Sequence, residues 1–107
     1  MLSQRYDSQE YVPVIVEPKQ PGTFYDPTAD PIQYQFVDPG KNPSGGGWSF
    51  GLWETDNSTA DPIYYALCMA GPSGPYVPKQ NHTAWLFVKI TDNPEIPVLG
   101  PMTIKFT

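Results

Sequence analysis

The stretch TADPIQYQFV (residues 28–37) decides how this chain is read. Its last six residues, IQYQFV (32–37), alternate without a break. Ile32, Tyr34 and Phe36 fall on one side, and Gln33 and Gln35 on the other. A period of two with one oily face is the pattern of a half-buried strand. The residues ahead of it explain where it starts. Pro31 cannot donate to a ladder, so it is tolerated at a strand's beginning and not in its middle. Asp30, placed before a proline, is pushed towards extended backbone. Its carboxylate is also suited to capping turn amides.

Nearly the same words return as TADPIYY at 59–65. Asp61 and Pro62 again precede an apolar run, and the alternation puts Ile63 and Tyr65 on one face, as it does Ile32 and Tyr34. Past this phrase the two regions diverge, with QFVDPG after one and ALCMAG after the other. The repeat is therefore read as one turn-to-strand grammar used twice, not as a duplicated functional unit. A solenoid would need further copies.

Working outward, the same alternation marks YVPVIVEP (11–18), with Val12, Val14 and Val16 against Tyr11, Pro13 and Ile15. Pro13 assigns this strand to a sheet edge. WSFGLWET (48–55) reads as one aromatic-rich strand, where Gly51 signals a bulge or a close backbone approach. IYYALCMAG (63–71) is a near-continuous apolar strand. HTAWLFVKIT (82–91) sets Leu86, Val88 and Ile90 against Trp85, Phe87 and Lys89, so both of its faces need cover, from loops or from another subunit. MTIKFT (102–107) alternates again, and a seventh strand is possible near 22–25. The segments between are turn chemistry rich in Pro, Gly, Asn and Asp. Residues 1–10 are polar and aperiodic and read as an N-terminal arm, leaving 11–107 as the domain. Six to seven short strands of this kind predict an all-β fold, a small antiparallel immunoglobulin-like β-sandwich, with a barrel as the other option. Trp53 is the aromatic expected at the core centre.

Composition narrows the function. The 107 residues make a single domain with enough chain for one core. Fourteen Pro and nine Gly would suit disorder, but 14% aromatic residues argue for a packed chain cut by turns. A net charge of −5 with six scattered Lys and Arg argues against nucleic-acid and anionic-membrane binding. Cys68, the only cysteine, excludes an intrachain disulfide and is expected to be a buried, inert thiol. No apolar run reaches membrane-spanning length. The opening MLSQRYDSQE has no apolar signal-peptide core, so an intracellular product, or one released by lysis, is expected. In that setting the Asn-x-Thr triplets at Asn57 and Asn81 are chance matches.

Catalytic chemistry has little to stand on. His82 is the only histidine and lacks a neighbouring nucleophile and orienting group in sequence, so a strand-end role is favoured over a small hydrolase. A zinc site would need several His or Cys, and the chain has one of each, so none is expected. The acidic pairs Asp26 with Asp30, Asp56 with Asp61, and Asp92 with Glu95 lack calcium-loop spacing and read as turn caps. SGGG ahead of Trp48 lacks the Lys-Ser/Thr of a phosphate loop and leads into a strand. No cofactor is expected. The aromatics offer a second class of function: Trp48, Phe50 and Trp53 as the stacking platform of a carbohydrate-binding module, against the plainer role of filling the core.

The order EYVPVIV, DPTADPIQYQF, GGGWSFGLWET, YYALCMAGPSG, TAWLFVKITDNPEIPVLGPMTI resembles a family of short proteins encoded in the virion-structure gene cluster of actinobacterial tailed bacteriophages. The resemblance spans about residues 10–107. It is carried most specifically by DPTAD (26–30), W-x4-WET (48–55) and WLFVKITDNPEIPV (85–98). HTAW at 82–85 departs from the Gly-Thr-Tyr run that the family places ahead of the late strand. The resemblance implies a non-enzymatic component of the virion, assembled in the bacterial host cytoplasm. It would sit in the head or the head-to-tail connector, with capsid, portal or neck subunits, and copies of itself, as partners. Tyr6, Tyr11, Asp38, Lys41, Trp48 and Phe50 are the candidate interface residues, on the arm and on the loop 38–47 with its base.

Overall fold

The computed structural model describes residues 2–16, 27–58, 60, 62–91 and 96–107. The possible strand near 22–25 lies outside them, as do Tyr25, Asp26, Asp61, Asp92 and Glu95. The described residues form an all-β structure of two sheets, mostly antiparallel and open at their edges. The strands are β1 (Leu2–Gln4), β2 (Glu10–Val16), β3 (Ile32–Val37), β4 (Ser49–Phe50), β5 (Leu52–Asp56), β6 (Ile63–Ala70), β7 (His82–Ile90) and β8 (Val98–Phe106). One sheet runs β1-β8-β7-β3-β4 and the other β2-β6-β5. A short 3-10 turn, Pro27–Ala29, leads into β3.

β3 has the bounds its alternation predicts, and Ile32, Tyr34 and Phe36 face the core. β2 is an edge strand, as Pro13 requires, with Val12, Val14 and Val16 inward. The inward sets of the two sheets make one cluster. Phe106, Leu86, Ile104 and Val88 are its largest fully buried side chains. Each such burial is worth about 1.5–3 kcal/mol relative to exposure. At the end of the sandwich where β6 passes to β7, Tyr76 stacks on Phe36 with ring centroids 4.9 Å apart and leans on Phe106 at 5.7 Å.

Four expectations need correction. Residues 1–10 are not simply an arm: Leu2–Gln4 pair in parallel with Ile104–Phe106. Tyr6 N–H donates to the Thr107 carbonyl at 3.0 Å, and Thr107 N–H to that of Gln4 at 2.9 Å. The single strand at 48–55 is two. β4 joins β3 in one sheet and β5 joins β6 in the other. Gly51 is the switch. Its N–H donates to the Ile32 carbonyl at 3.0 Å, and a Cβ there would lie 2.9 Å from the Leu67 carbonyl oxygen. The close approach is legible in the sequence; the change of sheet is not.

The second TADP phrase feeds its strand in the opposite phase. Tyr64, Ala66, Cys68 and Ala70 face inward, while Ile63 and Tyr65 lie on the outer side. Both alternating sets of β6 are apolar, so hydropathy does not choose between them. Volume does: apart from Tyr64 the inward residues, Ala66, Cys68 and Ala70, are small, and the other sheet supplies Leu86 and Phe106. Lastly, β8 begins at Val98, ahead of 102. Gly100 and Pro101, joined by a cis bond, together face Phe87 in a bulge between Leu86 and Val88. Gly100 has φ +124°, and a Cβ there would come within 2.8 Å of the Leu86 carbonyl, so only glycine fits.

Candidate interaction surfaces

Each sheet turns one face to the core and the other outward, and the two outward faces differ. On the five-stranded sheet the register sets Phe50 beside Gln33, Gln33 beside Lys89, and Lys89 beside Val98. Phe50 is 75% exposed and Val98 49%. Lys89 Nζ lies 4.5 Å from the centroid of the Trp48 ring, a cation–π distance. Next to this row the loop after β3 covers Gln35. The Gln35 amide donates to the Ser44 carbonyl at 2.9 Å and accepts from the Ser44 N–H at 2.9 Å. Phe87 beside it is buried. The loop thus covers Gln35, the β3 residue that pairs with Phe87. The charged side chains in the described strands of this outer face are Lys89 and Lys105, and both are cations.

The outer face of the three-stranded sheet carries Tyr11, Pro13 and Ile15 from β2, and Ile63, Tyr65, Leu67 and Met69 from β6. β5 adds Leu52, Glu54 and Asp56. Tyr11, Ile15 and Leu52 are about half exposed. A shallow groove of about 380 Å³ crosses the face, lined by Pro13, Tyr65, Glu54, Thr55 and Asp56. Proline and tyrosine make its apolar side. The charged groups here are carboxylates, and no described residue of this face is a cation. Asp56 Oδ1 accepts the Ser58 N–H at 2.9 Å; the Ser58 side chain, and then this N–H, hold the carboxyl below the usual carboxylate range.

The six candidate interface residues do not form one surface. Tyr6 is partly buried and packs against the core. Tyr11 lies on the outer face of the three-stranded sheet, whereas Trp48 and Phe50 belong to the opposite outer face. Asp38 and Lys41 are exposed in one turn, where the Lys41 N–H donates to the Asp38 carbonyl at 3.0 Å. Burial, and then the Asp38 charge, raise the Tyr76 pKa at that end. Sequence reasoning passes over Ile15, Leu52 and Val98 as exposed apolar positions. The signal is available in β2, where Ile15 and Tyr11 alternate with buried valines and so must face outward.

The three-ring carbohydrate platform does not form. Trp53 is not the core centre either: it packs against the rim of the core, and its indole N–H donates to the Asp30 carbonyl at 2.9 Å. This separates it from Trp48 and Phe50. His82 is exposed at the start of β7, opposite Phe106. Cys68 is buried, and burial pushes its thiol up to about 12, far from nucleophilic at neutral pH. Among the described residues no group of three or more His, Cys, Asp and Glu side chains is placed to hold a metal ion. Comparison with family models, with curated proteins and with solved structures returned no match.

Proposed function

We propose that this chain is an immunoglobulin-like sandwich serving as a non-enzymatic structural component of a tailed-phage virion. It would act in the head or head-to-tail connector, bound to capsid or neck subunits. The observation that carries the reading is the apolar surface left outward on both sheets, with Phe50 the most exposed large hydrophobic among the described residues and Ile15, Leu52 and Val98 about half exposed. Exposed apolar groups gathered on a sheet face mark contact surfaces. The family resemblance over 10–107 supplies the setting. The immunoglobulin-like assignment rests on strand order. β2-β6-β5 corresponds to the B-E-D side of that fold, and β8-β7-β3-β4 to G-F-C-C′.

The test is a mass-spectrometric count of this polypeptide in purified particles. A fixed copy number per virion is expected, with a ring-sized value favouring the neck and a much larger one favouring decoration of the head. Clean, infectious particles lacking the polypeptide would remove the proposal.

A further inference from the structure

We infer that the two outer sheet faces are the two halves of one head-to-tail contact between copies of this chain. The row Phe50, Gln33, Lys89, Val98 of one copy seats on the grooved face around Tyr65, Glu54 and Asp56 of the next. The inference deepens the reading of the chain as an assembling component and rests on it.

Charge complementarity selects the second copy as occupant. The row on the five-stranded sheet offers exposed apolar groups around a lysine, and the three-stranded face offers exposed apolar groups around carboxylates. The ion pair among the described residues, Arg5 with Asp7, uses neither Lys89 nor Glu54. Pairing the grooved face with itself across a two-fold axis would gather Glu54 and Asp56 of both copies into one interface with no cation from that face. Pairing the Lys89 face with itself would do the same with ammonium groups. Buried like charges without partners are strongly unfavourable. Edge-to-edge pairing through β2 is interrupted by Pro13, which has no N–H to give. The arrangement that pairs opposite charges and covers apolar groups on both sides is heterologous, one face on the other. Such a contact repeats, closing into a ring or running on as a stack.

The experiment uses the full chain in sedimentation velocity over a concentration series, at low and high salt. The wild type is expected to self-associate, less so as salt rises. Lys89→Glu and Glu54→Lys should each weaken association roughly tenfold or more. An equimolar mixture of the two variants should recover it, because the two reversed charges then face each other across one contact and the native pair forms across the next. Lys105→Glu changes net charge as Lys89→Glu does but lies at the far end of the sheet, and it should associate like the wild type. Phe50→Ser, which touches no charge, should also weaken association, and circular dichroism melts confirm that each variant is folded. A wild type that stays monomeric, or a loss equal in Lys105→Glu and Lys89→Glu, overturns the inference. So does a mixture that fails to recover. Virion counting is independent. A chain present in particles but monomeric in solution removes the head-to-tail contact and leaves the proposed function standing. A self-associating chain absent from particles does the reverse.

Discussion

The side-chain amide of Gln4, on the five-stranded sheet, donates to the main-chain carbonyl of Ala70, on the three-stranded sheet, at 3.1 Å. The same nitrogen donates to the Ser8 carbonyl at 3.0 Å. Gln4 is buried, so it ties the two layers together where water does not compete. Gln4→Leu keeps the bulk and removes both donations. It should cost about 1–3 kcal/mol, because a buried carbonyl loses its partner. Urea denaturation measures this, and an unchanged midpoint would show that the bridge is not used.

Gly51 stands between the sheets, and a Cβ there meets main-chain oxygen that cannot swing aside. Gly51→Ala should destabilise by about 1–3 kcal/mol. Gly46→Ala is the control, since nothing lies within 4 Å of a Cβ at that position. Equal thermal midpoints for the two variants would contradict the switch geometry.

Cys68 links stability to alkaline pH. Its thiol is raised from an ordinary 9.0 to about 12 by burial. The unfolded chain therefore releases this proton first as pH rises. The contribution is complete below about pH 9 and is lost between about 9 and 12. Tyr34 and Tyr76 are raised as well, chiefly by burial, and act in the same direction. Denaturation midpoints should fall across that window, and less steeply in Cys68→Ala. A thiol reagent at pH 8 should label the wild type only on unfolding; rapid native labelling would refute the buried placement.

Tyr76 closes one end of the core by stacking on Phe36 and leaning on Phe106. Tyr76→Ala should cost about 2–3 kcal/mol, less than a full core truncation because the ring is only partly buried. Tyr76→Phe keeps the ring contacts and should stay within about 1 kcal/mol of the wild type. Scanning calorimetry separates the two, and similar losses in both would place the ring's role in its hydroxyl.

What can be read in advance follows from how residues alternate. β3 is legible to the residue because glutamines separate its apolar positions and turn residues bracket it. β2 is legible as an edge through Pro13. β6 is not legible in phase, since Ile63, Tyr65, Leu67 and Met69 compete with Tyr64, Ala66, Cys68 and Ala70, and packing volume, invisible in one strand, decides. β1 is too short to show a period, and its parallel partner lies at the other end of the chain. Residues 48–55 look like one strand because nothing local announces that the chain changes partners at Gly51. The candidate surfaces suffer from the same limit. Alternation can turn Tyr11 and Phe50 away from the core, but only the two-layer arrangement shows that they point to opposite sides.

The chain passes from layer to layer between β1 and β2, and again between β4 and β5, and these pairs sit at opposite lateral margins of the sandwich. Both long seams are thus stitched by covalent main chain, like the sides of an envelope. Prising the sheets apart requires tearing strands from both, so hydrogen exchange in β6 and β7 should report a single shared opening event in place of two layers loosening separately.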